Sequence, residues 1–201
     1  MPSTIAAQQK TSSKQTTAPK QTATSKQPAS AKPPASAEQI ADSGPLAVRE
    51  FQKRVNAYVK LQKQLEVGLG KQKSTPSPEA IAARRQVLAR KIRTARARAK
   101  VGDIFTPEVT EEFRRLIGIT MNGKEGAQIR ASLKSAEPVT VPLGVNDPYP
   151  TSVPLQSTPA SLLLNLPQLP KELDYRVVGG KLILRDVEAN LILDIIQEVG
   201  I

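Results

Sequence analysis

Gly179 and Gly180 stand side by side between two runs of alternating side chains, Leu173 to Val178 and Lys181 to Asp186, and no other pair constrains the fold so tightly. A two-residue hairpin turn needs positive φ at both positions, which glycine adopts without a Cβ clash. Turn length then fixes the register: Val177 faces Leu182, Tyr175 faces Leu184 and Asp174 faces Arg185. Tyr175, Val177, Leu182 and Leu184 share one face under that pairing. The opposite face gains an Asp174–Arg185 ion pair and leaves Arg176 and Lys181 in water. After a turn over Val187 to Asn190, the run Leu191 to Ile196 can add a third strand and complete a meander. Leu191, Leu193 and Ile195 would point one way, and Ile192, Asp194 and Ile196 the other. The same six residues also fit a short helix; the strand is favoured.

Upstream, the period changes. Val48, Phe51, Val55, Tyr58, Val59, Leu65 and Leu69 recur at helical steps, which predicts a helix over about 46–67, stopped by Gly68 and Gly70. Ser77-Pro78-Glu79 opens a second, over 78–100, with a hydroxyl cap, proline in the first turn and an acid at the positive end of the dipole. Ile81, Leu88, Ile92, Ala95 and Ala99 fall within about 60° of one another on its circumference. Thr106-Pro107-Glu108 repeats the cap chemistry and opens a third helix over 107–117, with Val109, Phe113, Leu116 and Ile117 on one face. A weaker fourth is expected at 124–135 around Ile129 and Leu133. The first two helices should pack antiparallel as a hairpin, and their alanine-rich seam needs a further layer.

Residues 1–44 hold Ser, Thr, Ala, Gln, Lys and Pro, with Ile5 and Ile40 the only larger aliphatics. Such a stretch buries too little apolar surface to offset its chain entropy, so a disordered tail is expected. Residues 137–170 contain eight prolines, which deny donors and break helices. Val139, Val141, Leu143, Val145 and Leu162 to Leu164 suit a strap held against a surface by its side chains. The expected fold class is therefore α+β: a disordered tail at 1–44, a helical segment at 45–136, a proline-rich extended connector at 137–170 and a β-meander at 171–201.

The chain carries a net charge of +11, unevenly placed. Residues 45–105 hold fifteen Lys and Arg against four acids, whereas residues 106–201 hold nine against twelve. A basic block of this kind fits nucleic acid, an anionic lipid surface or an acidic partner. The candidate polyanion contacts are Arg84, Arg85, Arg90, Lys91, Arg93, Arg96, Arg98 and Lys100. Scarce aromatic residues argue against base stacking, so a solvated helix surface, partly neutralised by the acidic C-terminal half, is the preferred reading. Against lipid, the apolar stripe of that helix carries mostly alanine and isoleucine with no Trp or Phe anchor.

Three segments, Gly102 to Ile117 (GDIFTPEVTEEFRRLI), Leu162 to Leu173 (LLLNLPQLPKEL) and Tyr175 to Ile196 (YRVVGGKLILRDVEANLILDII), resemble a group of bacterial hypothetical proteins of acidobacterial type without an assigned function. The resemblance spans roughly residues 46–200. It implies a periplasmic or secreted protein, because members of the group often begin with a secretory leader. The closing strand–turn–strand also looks like the small meander that ends certain periplasmic proteins of nickel and cobalt homeostasis. This chain departs from the group by opening Met-Pro-Ser-Thr with no apolar leader, and a protein starting there would stay in the cytoplasm. No functional residue carries over from the resemblance.

The chain has no histidine and no cysteine, which removes a Cys/His zinc site, an imidazole base, a thiol nucleophile and a disulfide. Asp186, Glu188 and Asp194 could bind a hard cation through oxygen, but their spacing matches no Ca²⁺ loop, and acids at strand ends commonly just stay hydrated. Gly68-Leu69-Gly70-Lys71 lacks the phosphate-loop pattern. No cofactor is implied and catalysis is not expected. The leading function is a noncatalytic exported or envelope-associated domain acting through contacts with an unknown protein partner. The alternative is nucleic-acid binding by Arg84 to Lys100.

Overall fold

The computed structural model describes residues 37–70, 77–134, 142–150 and 158–200. Of the tail expected over residues 1–44, residues 1–36 lie outside them, as do the strap residues Val139 and Val141, whereas residues 37–44 are helical and correct that boundary. The fold is α+β, with the element order α1 (Ala37–Val67), α2 (Pro78–Ala95), α3 (Pro107–Asn122), α4 (Gly126–Lys134), α5 (Ala160–Leu164), β1 (Leu173–Val178), β2 (Lys181–Asp186) and β3 (Leu191–Ile196).

The hairpin forms in the expected register, with Val177 opposite Leu182, Tyr175 opposite Leu184 and Asp174 opposite Arg185. Gly179 and Gly180 take φ of 55° and 75°, the left-handed conformation that favours glycine. Residues 191–196 are a strand, and the sheet order is β1-β2-β3. Its facing, however, departs from simple alternation. A bulge sets Leu184 opposite Asp194 but Arg185 opposite Ile192, so β3 holds one extra residue, Leu193. Asp194 and Ile196 therefore join Leu191 on the helix-facing side. Ile192 and Ile195 turn to the opposite face.

That opposite face is not the wet surface alternation alone predicts. Tyr149 of the strap, with Leu143, closes a second small core over Val178, Ile183, Ile192 and Ile195. Arg176, far from floating in water, bonds Asp174 at 2.6 Å, and Asp174 also receives Arg185 at 2.7 Å. The strap itself is fastened by backbone as well as side chains. Asn146 N–H donates to the Ile192 carbonyl at 2.8 Å, Ile192 N–H to the Asp147 carbonyl at 2.9 Å, and Tyr149 N–H to the Asn190 carbonyl at 2.9 Å. These bonds cover the outer edge of β3, where unpaired strand groups would otherwise invite another chain. Farther along, the strap is not purely extended: Ala160 to Leu164 make one helical turn that buries Leu162.

The helical layer packs on the other sheet face. All three phenylalanines of the chain meet there: Phe51 of α1 lies 4.9 Å from Phe113 of α3 and 5.6 Å from Phe105, centroid to centroid. Tyr175 of β1 completes the group at 6.0 Å from Phe113. Aromatic pairs in such offset and edge-on geometries add about 0.5–1.5 kcal/mol each beyond their burial. Ser77 and Thr106 cap α2 and α3 through their side-chain oxygens, as the sequence suggests.

Helix limits differ from expectation for identifiable reasons. α1 starts at Ala37, upstream of Leu46, because Ala-Glu-Gln favours helix and Pro45 is accommodated within it. Gly44 is buried there, and a Cβ would come within 2.9 Å of Glu112 Oε1. α2 ends at Ala95 instead of Lys100, since the chain must turn to deliver the 102–105 backbone to the sheet. α3 runs on to Asn122. Arg96 lies over the Tyr58 ring and Arg84 reaches the Gly70 carbonyl, so α2 runs back along α1 as an antiparallel partner. Residues 78–83 project past the end of α1, which leaves Ile81 exposed in place of its expected burial. Leu88, Ala89 and Ile92 are the buried part of the seam. Among the described residues, no helix is long and apolar enough to cross a membrane.

Candidate functional site

Seven of the eight basic residues of the α2 region separate into two groups, and Lys91 stands between them. Four turn toward the protein itself. Arg84 donates to the Gly70 carbonyl at 3.0 Å, and Arg85 donates to the Glu188 carbonyl at 3.1 Å. Arg93 donates to the Asn146 carbonyl at 2.9 Å. Arg96 is the most committed: it donates to Asn146 Oδ1 at 3.1 Å and to the Leu193 carbonyl at 3.0 Å. Asn146 answers by donating its Nδ2 to the Arg96 carbonyl at 2.8 Å, which closes a reciprocal pair between helix end and strap. Asn146 holds φ of 67°, the turn conformation asparagine tolerates best after glycine. Burial lowers the Arg96 pKa, against the raising influence of Tyr58 and Asp194.

The acceptors in this group are mostly carbonyls. The acidic half contributes an ion pair, Arg84 Nε with Glu188 Oε1 at 3.9 Å, and the charges of Asp194 and Asp186 near Arg96. Arg90, Arg98 and Lys100 form the second group, exposed and without side-chain partners among the described residues. Lys91 is half-buried, its ammonium lying against Gly68.

The three acids Asp186, Glu188 and Asp194 do not converge. Asp186 and Asp194 are fully buried, not hydrated. Asp186 Oδ2 accepts the Tyr58 hydroxyl at 2.5 Å, and its Oδ1 accepts Ala189 N–H at 2.6 Å. Burial pushes the Asp186 pKa up, opposed by these two bonds. The same burial, with the Asp186 charge, raises the Tyr58 hydroxyl well above its ordinary value. Asp194 instead gathers backbone donors from the turn after α2: Gly102 at 2.9 Å, Ile104 at 2.7 Å and Phe105 at 2.8 Å. A carboxylate receiving several N–H groups makes charge-assisted bonds, the strong kind. Among the described residues, no group of three or more acids could hold a metal ion.

Sequence reasoning missed Asp194 as an anchor, because its partners lie about ninety residues away and only the β3 bulge turns it toward them. It also missed Gln62. This side chain is fully buried, yet neither Oε1 nor Nε2 has a hydrogen-bond partner. On the opposite flank, a depression of about 490 Å³ opens between the strap and β1, lined by Leu163, Pro167, Leu169, Leu173 and Tyr175, with Asp174 and Arg176 among its polar groups. Leu163 and Leu164 stand exposed on α5, Leu164 at 84%. The tyrosine in its wall is fixed, since Tyr175 donates its hydroxyl to the Pro167 carbonyl at 2.9 Å. Set against known protein families, curated proteins and solved structures, the chain matches none.

Proposed function

We propose that the chain is a noncatalytic binding domain that works through contact with another protein, and that it is bacterial and exported or envelope-associated, as the sequence resemblance implies. The observation that carries this reading is the apolar depression between the strap and β1, continued outward by Leu163 and Leu164. Exposed leucines of this kind on a small domain are a feature of interaction surfaces. The occupant is an apolar segment of a protein partner, because the leucine rim extends the surface beyond what a small ligand would cover. The rigid Tyr175–Pro167 bond gives that segment a preformed wall.

The test is quantitative crosslinking of the wild type against Leu163→Asp and Leu164→Asp variants, with Arg90→Glu as a surface control. A partner lost by both leucine variants and kept by the control supports the reading. A partner set unchanged by the leucine variants removes it.

A second reading, nucleic-acid binding by α2, is favoured by one observation: Arg90, Arg98 and Lys100 are exposed cations without protein partners among the described residues. Phosphate contact through about three cations gives weak affinity that falls with salt. A gel shift at about 150 mM salt, lost on Arg90→Glu and Arg98→Glu, would establish it. No shift at micromolar protein would end it.

A further inference from the structure

We propose that α2 is a detachable arm that lifts from the fold as a cooperative unit, with Gln62 setting how often it does so. The seam between α1 and α2 is thin: of the eighteen residues of α2, only Leu88, Ala89 and Ile92 are buried. Tyr58 meets Arg96 and Gly70 meets Arg84, and Gln62, one turn on from Tyr58 on the same face of α1, lies between these two contacts. There its amide is fully buried with both polar atoms unpartnered. Arg84 Nε, on the facing helix, is buried without a hydrogen bond as well, its ion-pair partner Glu188 Oε1 standing off at 3.9 Å. A buried polar group without a bond has lost its water and gained nothing in return. Opening the seam returns these groups to water, which lowers the cost of separation.

The closed state is held from the other flank. Arg85, Arg93 and Arg96 fasten α2 to carbonyls of the β2–β3 turn, the strap and β3. The Arg85 bond is exposed and water can replace it readily, whereas the part-buried bonds of Arg93 and Arg96 are given up at a cost. α1 and α3, by contrast, are joined through the phenylalanine cluster. Local opening therefore selects α2 before any other long helix. Once open, the arm presents Leu88 and Ile92 together with Arg84, Arg93 and Arg96, so inward cations become outward ones. Closure thereby controls how much positive surface the helix offers.

Native-state amide hydrogen exchange on the full chain tests this. Amides of α2 are expected to exchange about 100-fold faster than those of α3. Gln62→Leu is expected to slow α2 exchange about tenfold while leaving α3 unchanged, and Arg93→Gln to speed it. Exchange of α2 and α3 together would overturn the proposal. So would Gln62→Leu leaving α2 exchange unchanged or faster, which would mean that ordered water already satisfies the amide. Should Gln62→Leu fail to fold, Gln62→Met asks the same question, and the wild-type comparison of α2 with α3 decides by itself.

Discussion

The Tyr58 hydroxyl of α1 donates a 2.5 Å hydrogen bond to Asp186 Oδ2 at the end of β2, joining the helical layer to the sheet across 128 residues of chain. Both partners are buried, and the Asp186 carboxylate has no ion-pair partner among the described residues. Tyr58→Phe keeps the ring and removes the donor, which leaves a buried carboxylate short of one bond. The expected loss is about 1–3 kcal/mol in urea unfolding, which lowers Tm by about 2–4 °C per kcal/mol. Unchanged stability would mean that water replaces the hydroxyl.

Asp186 also gives the fold a pH dependence of definite sign. Its pKa is raised by burial, so the folded state binds the proton more tightly than the unfolded chain does. The stabilising contribution of such a group is complete below its unfolded pKa, about 4, and is lost as pH rises through the higher folded value. Glu66 acts with the same sign, raised first by burial and then by Glu188. Across the window just above pH 4, stability should therefore fall less steeply with rising pH in Asp186→Asn than in the wild type. Parallel curves for the two proteins in urea titrations across that window would contradict this.

Asp194 is expected to be the most sensitive acid in the chain. Asp194→Ala removes the acceptor of four backbone donors, at Gly102, Ile104, Phe105 and Ile195, three of them in buried bonds. A loss of about 3 kcal/mol or more is expected, with Asp194→Asn intermediate because its amide keeps one acceptor oxygen. Equal and small effects of both variants, measured by urea unfolding, would show that the 102–105 turn holds its shape without this anchor.

At the hairpin, Gly179→Val and Gly180→Val should each destabilise by about 1–2 kcal/mol through positive-φ strain, since neither site would crowd a new Cβ. Thermal melting of each variant reads this directly. Melting equal to the wild type would deny the turn its role in fixing register.

What the sequence revealed depended on whether the cause was local. Gly179-Gly180 and the alternating runs beside it specify turn and pairing within fourteen residues, and the pairing follows. Ser77-Pro78 and Thr106-Pro107 mark helix starts for the same reason. The β3 bulge could not be seen, because alternation gives no sign that Leu193 is the extra residue; what turns Asp194 inward is a set of donors far upstream. The arginines misled in a related way. On a helical wheel Arg93 and Arg96 occupy the polar side, but the strap brings Asn146 across that side and converts a wet face into a contact. Gln62 continues the stripe of Phe51, Val55, Tyr58, Leu65 and Leu69 at steps of three and four, so its burial was legible in the spacing and only its polar type hid it.

The inward arginines are structural, tying α2 to the strap and β3. Equilibrium urea unfolding of Arg96→Gln beside Arg90→Gln measures that claim directly. Arg96→Gln is expected to lose about 2–3 kcal/mol, because Asn146 and the Leu193 carbonyl lose their donor, whereas the exposed Arg90→Gln should stay within about 0.5 kcal/mol of the wild type. Equal small losses from the two variants would contradict it, and would return Arg96 to the solvated face of the helix.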